Sequence, residues 1–434
     1  MNKALQILSF TTFLFMVSCE GDLPIDLIPA TDPNAIAEVK ESNLITQSSG
    51  EIIKNQYIVM FKEDISYFER LDLETATLTE SNSREIRQAN SDIRAKRATA
   101  IESFLSSTLA EHKLNAQTIM SVYDIGRMKG GMVNITEAEA IELGKNDQIS
   151  LIEPNEVIAM GLTPSAKGRL IPADGGPAKQ TTPYNIKAVG GAKSHKNGKN
   201  WCFIIDSGID LDHPELSVEV GYSRSFVPSE SSPNDEFGHG THVAGIIGAE
   251  DDQKGVVGVA PGAPLVALKV LDKDGYGTKD YLLQALSYVQ YAAIAGDVVN
   301  ISLGTDNSYI INQTILRIQS RVGVYFTIAA GNDGINAANI SPANLQSTNI
   351  YIMGAINEYE ALTTFSNFGQ SVNILTPGES IYSTYKDGQY MWMSGTSMAA
   401  PHMAGILLSE SGTYKVKKNI KLPSGNYAQA VKRE

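Results

Sequence analysis

The spacing of apolar positions divides the chain into a leader, a small mixed unit and a larger unit of alternating strands and helices. Residues 4–17 are mostly apolar, broken by Gln6, Ser9, Thr11 and Thr12 and preceded by Lys3. The run is too short to span a bilayer and has the form of an export signal, placed at 1–18. Residues 19–50 carry Pro24, Pro29, Pro33 and few aromatics, so they lack the apolar surface to fold and predict a flexible tether.

From Gln56 the pattern changes. Tyr57-Ile58-Val59-Met60-Phe61 is a continuous apolar run of strand length. Ile101, Phe104, Leu105, Thr108 and Leu109 recur at helical spacing. Gly130-Gly131-Met132-Val133-Asn134-Ile135 predicts a strand, and Thr136-Glu137-Ala138-Glu139 a capping box that opens a helix toward Leu143. Residues 149–158 contain Glu153-Pro154-Asn155 and predict extended structure of the edge type, because proline cannot donate to a ladder. The charged stretch 63–96 predicts a solvated helix and loop. Together, residues 51–160 predict a small α+β domain. Pro- and Gly-rich residues 161–179 predict an exposed, cleavable linker.

Over residues 180–434, strands and helices alternate. Strands are predicted at 203–205, 265–270, 298–301, 323–330 and 351–355, and helices at 241–249, 281–294 and 397–408. Unbroken apolar strands between helices predict an α/β, three-layer domain with a mainly parallel central sheet. In such sheets the working residues gather at the carboxyl ends of the strands.

Composition narrows the function. The 434 residues are 42% apolar and 19% charged, which excludes wholesale disorder. With 35 basic and 48 acidic residues the net charge is −13, which argues against nucleic acid or an anionic membrane surface as partner. The two cysteines, Cys19 and Cys202, support neither a disulfide framework nor a Cys-rich zinc site. Cys202 opens a buried strand and reads as an inert core thiol.

Three motifs fall at strand-to-helix junctions: Asp206-Ser207-Gly208, His239-Gly240-Thr241-His242-Val243-Ala244-Gly245, and Gly395-Thr396-Ser397-Met398-Ala399-Ala400-Pro401-His402. Taken alone, the first is a common turn, the second a metal pair at unusual spacing, and the third a helix cap. Jointly they supply a hydroxyl that needs an imidazole as base, and an imidazole that needs a buried carboxylate to fix its tautomer.

In these motifs and in their Asp, His, Ser order, the chain resembles the subtilisin-like serine proteases (the subtilase family). The resemblance implies a subtilisin-like fold in which Asp206 orients His239, His239 is general base and then acid, and Ser397 is the nucleophile. His242 corresponds to a structural histidine. Asn332, in Ala329-Ala330-Gly331-Asn332, corresponds to the donor to the developing oxyanion. Ser302-Leu303-Gly304 resembles the segment that pairs with substrate backbone.

The domain at 51–160 resembles the inhibitory propeptides of this family, which template folding and block the cleft. Gln180-Thr181-Thr182-Pro183-Tyr184 resembles a mature N-terminus. No cofactor is implied for the chemistry. A structural calcium is implied as an option where Gln180, Glu215 and Asp252 meet. Met16-Val17-Ser18-Cys19 resembles a bacterial lipoprotein signal, with lipidation at Cys19.

The resulting expectation is a self-processing serine endopeptidase at the outer membrane or cell surface, otherwise secreted. It would be monomeric and touch the membrane only through its lipid anchor. Its partners would be polypeptide substrates and its own propeptide. A catalytically silent binding protein and a serine hydrolase of small esters are the alternatives. Labelling of Ser397 by a fluorophosphonate separates the first, and cleavage of denatured protein the second.

Overall fold

The computed structural model describes residues 50–72, 83–159, 170–171, 179–422 and 425–432. All belong to the unit Glu41–Glu434. The export signal, Cys19, the tether and most of the 161–179 linker lie outside the described residues.

The N-terminal region comprises β1 (Ile52–Phe61), α1 (Ser66–Asp72), α2 (Ser83–Glu111), β2 (Ile119–Ile125), β3 (Met128–Asn134), α3 (Glu137–Leu143) and β4 (Ile149–Ala159). After β5 (Leu170–Ile171) come α4 (Tyr184–Ala188), β6 (Cys202–Asp206), β7 (Arg224–Ser225), α5 (His239–Gly248), β8 (Leu265–Lys269) and β9 (Tyr276–Thr278). Then follow α6 (Lys279–Ala292), β10 (Val298–Ile301), β11 (Thr305–Asp306), α7 (Tyr309–Val322), β12 (Tyr325–Ala329), β13 (Ile340–Ser341) and β14 (Ile350–Ile356). The last elements are β15 (Ile374–Pro377), β16 (Ile381–Tyr385), β17 (Gln389–Met393), α8 (Thr396–Ser409), β18 (Lys415–Leu422) and β19 (Gly425–Val431).

Nine strands form the central sheet in the order β18-β19-β15-β14-β12-β10-β6-β8-β7. Every neighbouring pair is parallel except β18 with β19. Side chains alternate across it. Phe203, Ile205, Val266, Leu268, Val299 and Ile301 join the core on the α6 and α7 side. Cys202, Ile204, Leu265, Ala267 and Val298 join the core on the α5 and α8 side. The three-layer, mainly parallel α/β architecture is therefore present, and Cys202 is buried with its thiol pKa pushed up by burial.

The N-terminal strands form a second sheet, β2-β3-β1-β4-β9, whose last strand comes from the larger region. Alternation again assigns the faces. Tyr57, Val59 and Phe61 pack with α2 residues Ile101, Leu105 and Leu109. Ile58 and Met60 face the other way and share a core with Leu282, Leu283 and Leu286 of α6. The Thr136 capping box forms as predicted.

Two expectations change. Strand β4 is not an edge, because it lies between β1 and β9. Pro154 is accommodated where the β1–β4 register shifts, a bulge that needs no ladder donor. Flanking it, Glu153 accepts from the Ser308 hydroxyl (3.0 Å) and the Ile310 N–H (3.2 Å) at the start of α7. Asn155 accepts from the Asp280 N–H in the first turn of α6 (3.1 Å).

The charged stretch 63–96 is also not simply solvated. Arg87 of α2 is 1% exposed and pairs with Asp297. Farther along the same helix, Arg97 is 1% exposed and pairs with Asp124.

Candidate active site

Asp206 is the last residue of β6, and Ser302 and Asn332 lie just beyond β10 and β12. His239 opens α5, and Ser397 is in the first turn of α8. The carboxyl ends of three adjacent strands and two helix N-termini thus converge. Gly240 permits the closest approach, since a Cβ there would lie 2.0 Å from the Gly208 carbonyl oxygen.

The imidazole of His239 lies with Nδ1 2.8 Å from Asp206 Oδ1 and 3.0 Å from Oδ2. Both side chains are buried, at 2% and 0% exposure. A carboxylate in that position holds the proton on Nδ1 and leaves Nε2 as the acceptor. Asp206 Oδ1 also accepts from the Ser207 N–H at 2.7 Å.

Ser397 is 6% exposed, and its hydroxyl donates to the Ser302 carbonyl at 3.0 Å. The Ser302 hydroxyl in turn donates to the Ser397 carbonyl at 3.1 Å and accepts from Asn300 Nδ2 at 2.8 Å. Ser302, expected as part of a substrate-pairing segment with Leu303 and Gly304, is thus tied to Ser397 through its own hydroxyl and carbonyl. Leu303 is buried, and Gly304 leads into β11, which pairs with β13. The strand that does receive an extended segment is β9, with Val157, Ile158 and Ala159 of β4 opposite Thr278, Gly277 and Tyr276.

Asn332 lies beside Ser397. Its Oδ1 accepts from the Thr396 N–H at 2.8 Å and the Thr396 hydroxyl at 2.9 Å. Because an N–H can only donate, these contacts fix which end of the amide is oxygen. The amide lies against Gly395, where a Cβ would stand 3.4 Å from Nδ2 and 3.6 Å from Oδ1.

His242 lies one helical turn past His239, fully buried. Its Nε2 contacts the carbonyls of Ile381 (3.1 Å) and Met391 (3.0 Å), tying α5 to the β16–β17 hairpin. Burial above all, with the neighbouring His239 charge, pushes its pKa down to about 3. It is neutral, and it is a packing residue as expected.

The three positions implied for calcium meet around the 251–256 loop, each with contacts of its own. Gln180 donates to Asp251 (2.9 Å) and accepts from the Gln253 N–H (2.8 Å). Asp252 accepts from the Lys254 N–H at 3.0 Å. Glu215 is taken by the Tyr390 hydroxyl and by the Val256 N–H at 3.1 Å. Burial first, and the Asp252 charge with it, raise Glu215 to about 7. Among the described residues, no group of three or more His, Cys, Asp or Glu side chains is placed to hold a metal.

Two bracing residues escaped the sequence reading. Asp235 accepts from the Ser207 hydroxyl (2.9 Å), from the N–H groups of Gly238 (2.7 Å) and Thr241 (2.9 Å), and from the Thr241 hydroxyl (2.6 Å). It thus locks the Asp206 loop to the N-terminus of α5. The available signal was an Asp just before a helix start, the ordinary capping pattern. Lys269 is wholly buried beneath the same loop and donates to the carbonyls of Ser207 and Leu271, each at 2.8 Å. It pairs with Glu230 at 2.9 Å.

Residues 203–410 match the model of the Subtilase family. Over 415 residues the chain is 27% identical to a thermophilic serine proteinase of Bacillus sp. (strain AK1), covering 94% of this chain and 89% of that one. Over 248 residues it is 38% identical to the subtilisin of Bacillus pumilus, covering 54% of this chain and 87% of that one. The crystal structure of a cold-adapted subtilisin-like serine proteinase superposes with a TM-score of 0.51 at 27% identity, covering 58% of this chain and 99% of that one.

Proposed function

The chain belongs to the subtilase family and is a serine-type endopeptidase, and from that premise we propose that it cleaves polypeptides with an Asp206, His239 and Ser397 triad and is made as an exported zymogen. The observation that carries the assignment is the buried Asp206–His239 pair at 2.8 Å on a helix, α5, that packs against α8, whose first turn holds Ser397.

Ser397 Oγ turns from the Ser302 carbonyl toward His239 Nε2, gives up its proton there and attacks the scissile carbonyl carbon. The proton stays on an imidazolium that Asp206 stabilises through Nδ1–H. The resulting oxyanion accepts from the Ser397 backbone N–H and from Asn332 Nδ2. As the C–N bond breaks, the proton passes from Nε2 to the departing amine. Water, deprotonated by the same imidazole, then hydrolyses the acyl-enzyme. No cofactor takes part in this scheme.

The zymogen reading rests on β4 pairing with β9, which directs the chain beyond Ala159 into the 161–179 segment where we place self-cleavage. On this reading residues 51–160 are the inhibitory propeptide, 180–434 the catalytic domain, and the mature enzyme is a monomer. Export follows from the signal at 1–18, and Cys19 is the proposed lipid anchor. The deciding experiment compares wild type with Ser397→Ala. Wild type should cut itself within 161–179 and hydrolyse denatured protein, and the variant should do neither. An active Ser397→Ala protein overturns the triad, and an active wild type that stays uncut overturns the zymogen reading.

A further inference from the structure

The first turns of α2 reach a second place on the larger region, at the amino end of the central sheet. Trp201 precedes β6 and Asp297 precedes β10, and the first residues of those two strands, Cys202 and Val298, pair directly. Asp206 closes β6 five residues beyond Trp201, so at about 3.3 Å per residue the two ends stand roughly 16 Å apart.

Both terminal nitrogens of Arg87 are held here. Its Nη1 lies 2.6 Å from Asp297 Oδ2 and its Nη2 3.0 Å from Oδ1, a forked pair. Nη1 also donates to the carbonyl of Ala292, the last residue of α6. The guanidinium carbon stands 3.9 Å from the centroid of the Trp201 ring. Carboxylate, aromatic face and the electronegative end of a helix are the three environments that favour a planar cation.

The receptor is built without the arginine. Asp297 accepts from the N–H groups of Trp201 (2.9 Å) and Ile294 (2.8 Å) and from Asn200 Nδ2 (3.3 Å), all on the larger region. Those donors aim the carboxylate before any partner arrives. Around it, Arg84 pairs with Glu219 at 2.6 Å, and Arg94 stands 5.3 Å from the Tyr288 ring centroid.

We propose that Trp201, Ala292 and Asp297 form an arginine-binding exosite that holds the N-terminal region after the linker is cut, so that this contact, remote from the cleft, sets how long latency lasts. A buried guanidinium needs its partner throughout departure, because leaving strands one desolvated charge on each side. The exosite is vacated when the fragment leaves, and it is then open to an arginine side chain of another polypeptide. Its biological sense rests on the zymogen reading, but binding itself requires no catalysis.

The test uses the full chain carrying Ser397→Ala, with a recognition site for an added protease inserted between positions 161 and 179. After nicking, retention of the N-terminal fragment is followed by size exclusion. Arg87→Ala should release the fragment at least about tenfold faster than the parent, equivalent to about 1.4 kcal/mol. Arg87→Lys should fall between, since an ammonium cannot make the fork, and exposed Lys96→Ala should match the parent. A second arm needs no exosite variant. Excess N-acetylargininamide should lower the fraction retained by the nicked parent, and N-acetyllysinamide should not. Equal release from the Arg87→Ala and parent proteins, or equal response to the two amides, overturns the exosite. Failure of wild type to cut itself would instead count against the zymogen reading, which this test does not use.

Discussion

Asp206 and Asp297 are both fully buried carboxylates on neighbouring parallel strands, each bound to one cationic or basic side chain at 2.6–2.8 Å. They differ in which end of the strand they occupy and in what the partner can do with a proton. Asp206 closes β6 where helix N-termini converge, and its partner is an imidazole, a side chain that can serve as base and as acid. Asp297 lies at the opposite end, below the last carbonyls of α6, and its partner is a guanidinium that stays charged. One sheet thus carries a reactive pair at one end and a fixed clasp at the other. The chemistry of each follows from the partner more than from the carboxylate.

The widest separation between the two ends comes from removing each partner. His239→Ala should lower kcat by about 10⁴-fold or more, a magnitude carried over from subtilisin itself rather than obtained from these distances. Arg87→Ala should leave kcat of the released enzyme unchanged, because Arg87 departs with the N-terminal region. Active-site titration followed by kinetics on a fluorogenic peptide checks both. A folded His239→Ala enzyme with ordinary turnover would remove the distinction.

A smaller effect at the reactive end sharpens it. Asn332→Ala should lower kcat by about 10² to 10³, again the range known for the matching donor in subtilisin, with little change in KM. The amide serves an oxyanion that exists only transiently, so ground-state binding does not depend on it. A KM that rises while kcat holds would make Asn332 a substrate-binding residue instead.

What the sequence revealed and what it hid divides along the same lines. Asp206, His239, Ser397 and Asn332 each end or begin a rigid element flanked by glycine, so short motifs announced them. The strands were legible because a doubly covered sheet demands unbroken apolar runs. Helix α7 was missed although Ile310, Ile311, Thr314, Ile315 and Ile318 form its buried stripe and Ser308 caps it. The β16–β17 and β18–β19 hairpins were also missed: β18 is lysine-rich, and the short Tyr390-Met391-Trp392-Met393 run of β17 lies just before the Gly395 motif.

Pairings between distant segments had no local signature at all. Ser302 with Ser397 spans 95 positions, Glu215 with Tyr390 spans 175, and Arg87 with Asp297 spans 210. A stretch of charges predicts solvation on average. It does not announce that one arginine will meet a carboxylate already held in place by backbone donors.

Glu215 extends the comparison to a third buried carboxyl, whose partner is the neutral Tyr390 hydroxyl. With no cation beside it, burial raises its pKa to about 7 from an ordinary 4.5. Between those values the folded protein binds a proton that the unfolded chain has released. Its contribution to stability is therefore complete below about pH 4.5 and is lost as pH rises through about 7. Over that window one proton gives a slope of at most about 1.4 kcal/mol per pH unit. Glu215→Gln should abolish that component, being more stable than the parent at pH 8 and no more stable at pH 4. Melting temperatures in the Ser397→Ala background, where self-digestion is absent, measure the difference. Added calcium should leave the parent's slope unchanged, since the Tyr390 hydroxyl and the Val256 N–H already hold Glu215. A slope that vanishes with calcium would mean that Glu215 abandons Tyr390 for the metal, and the calcium site implied by the sequence would stand after all.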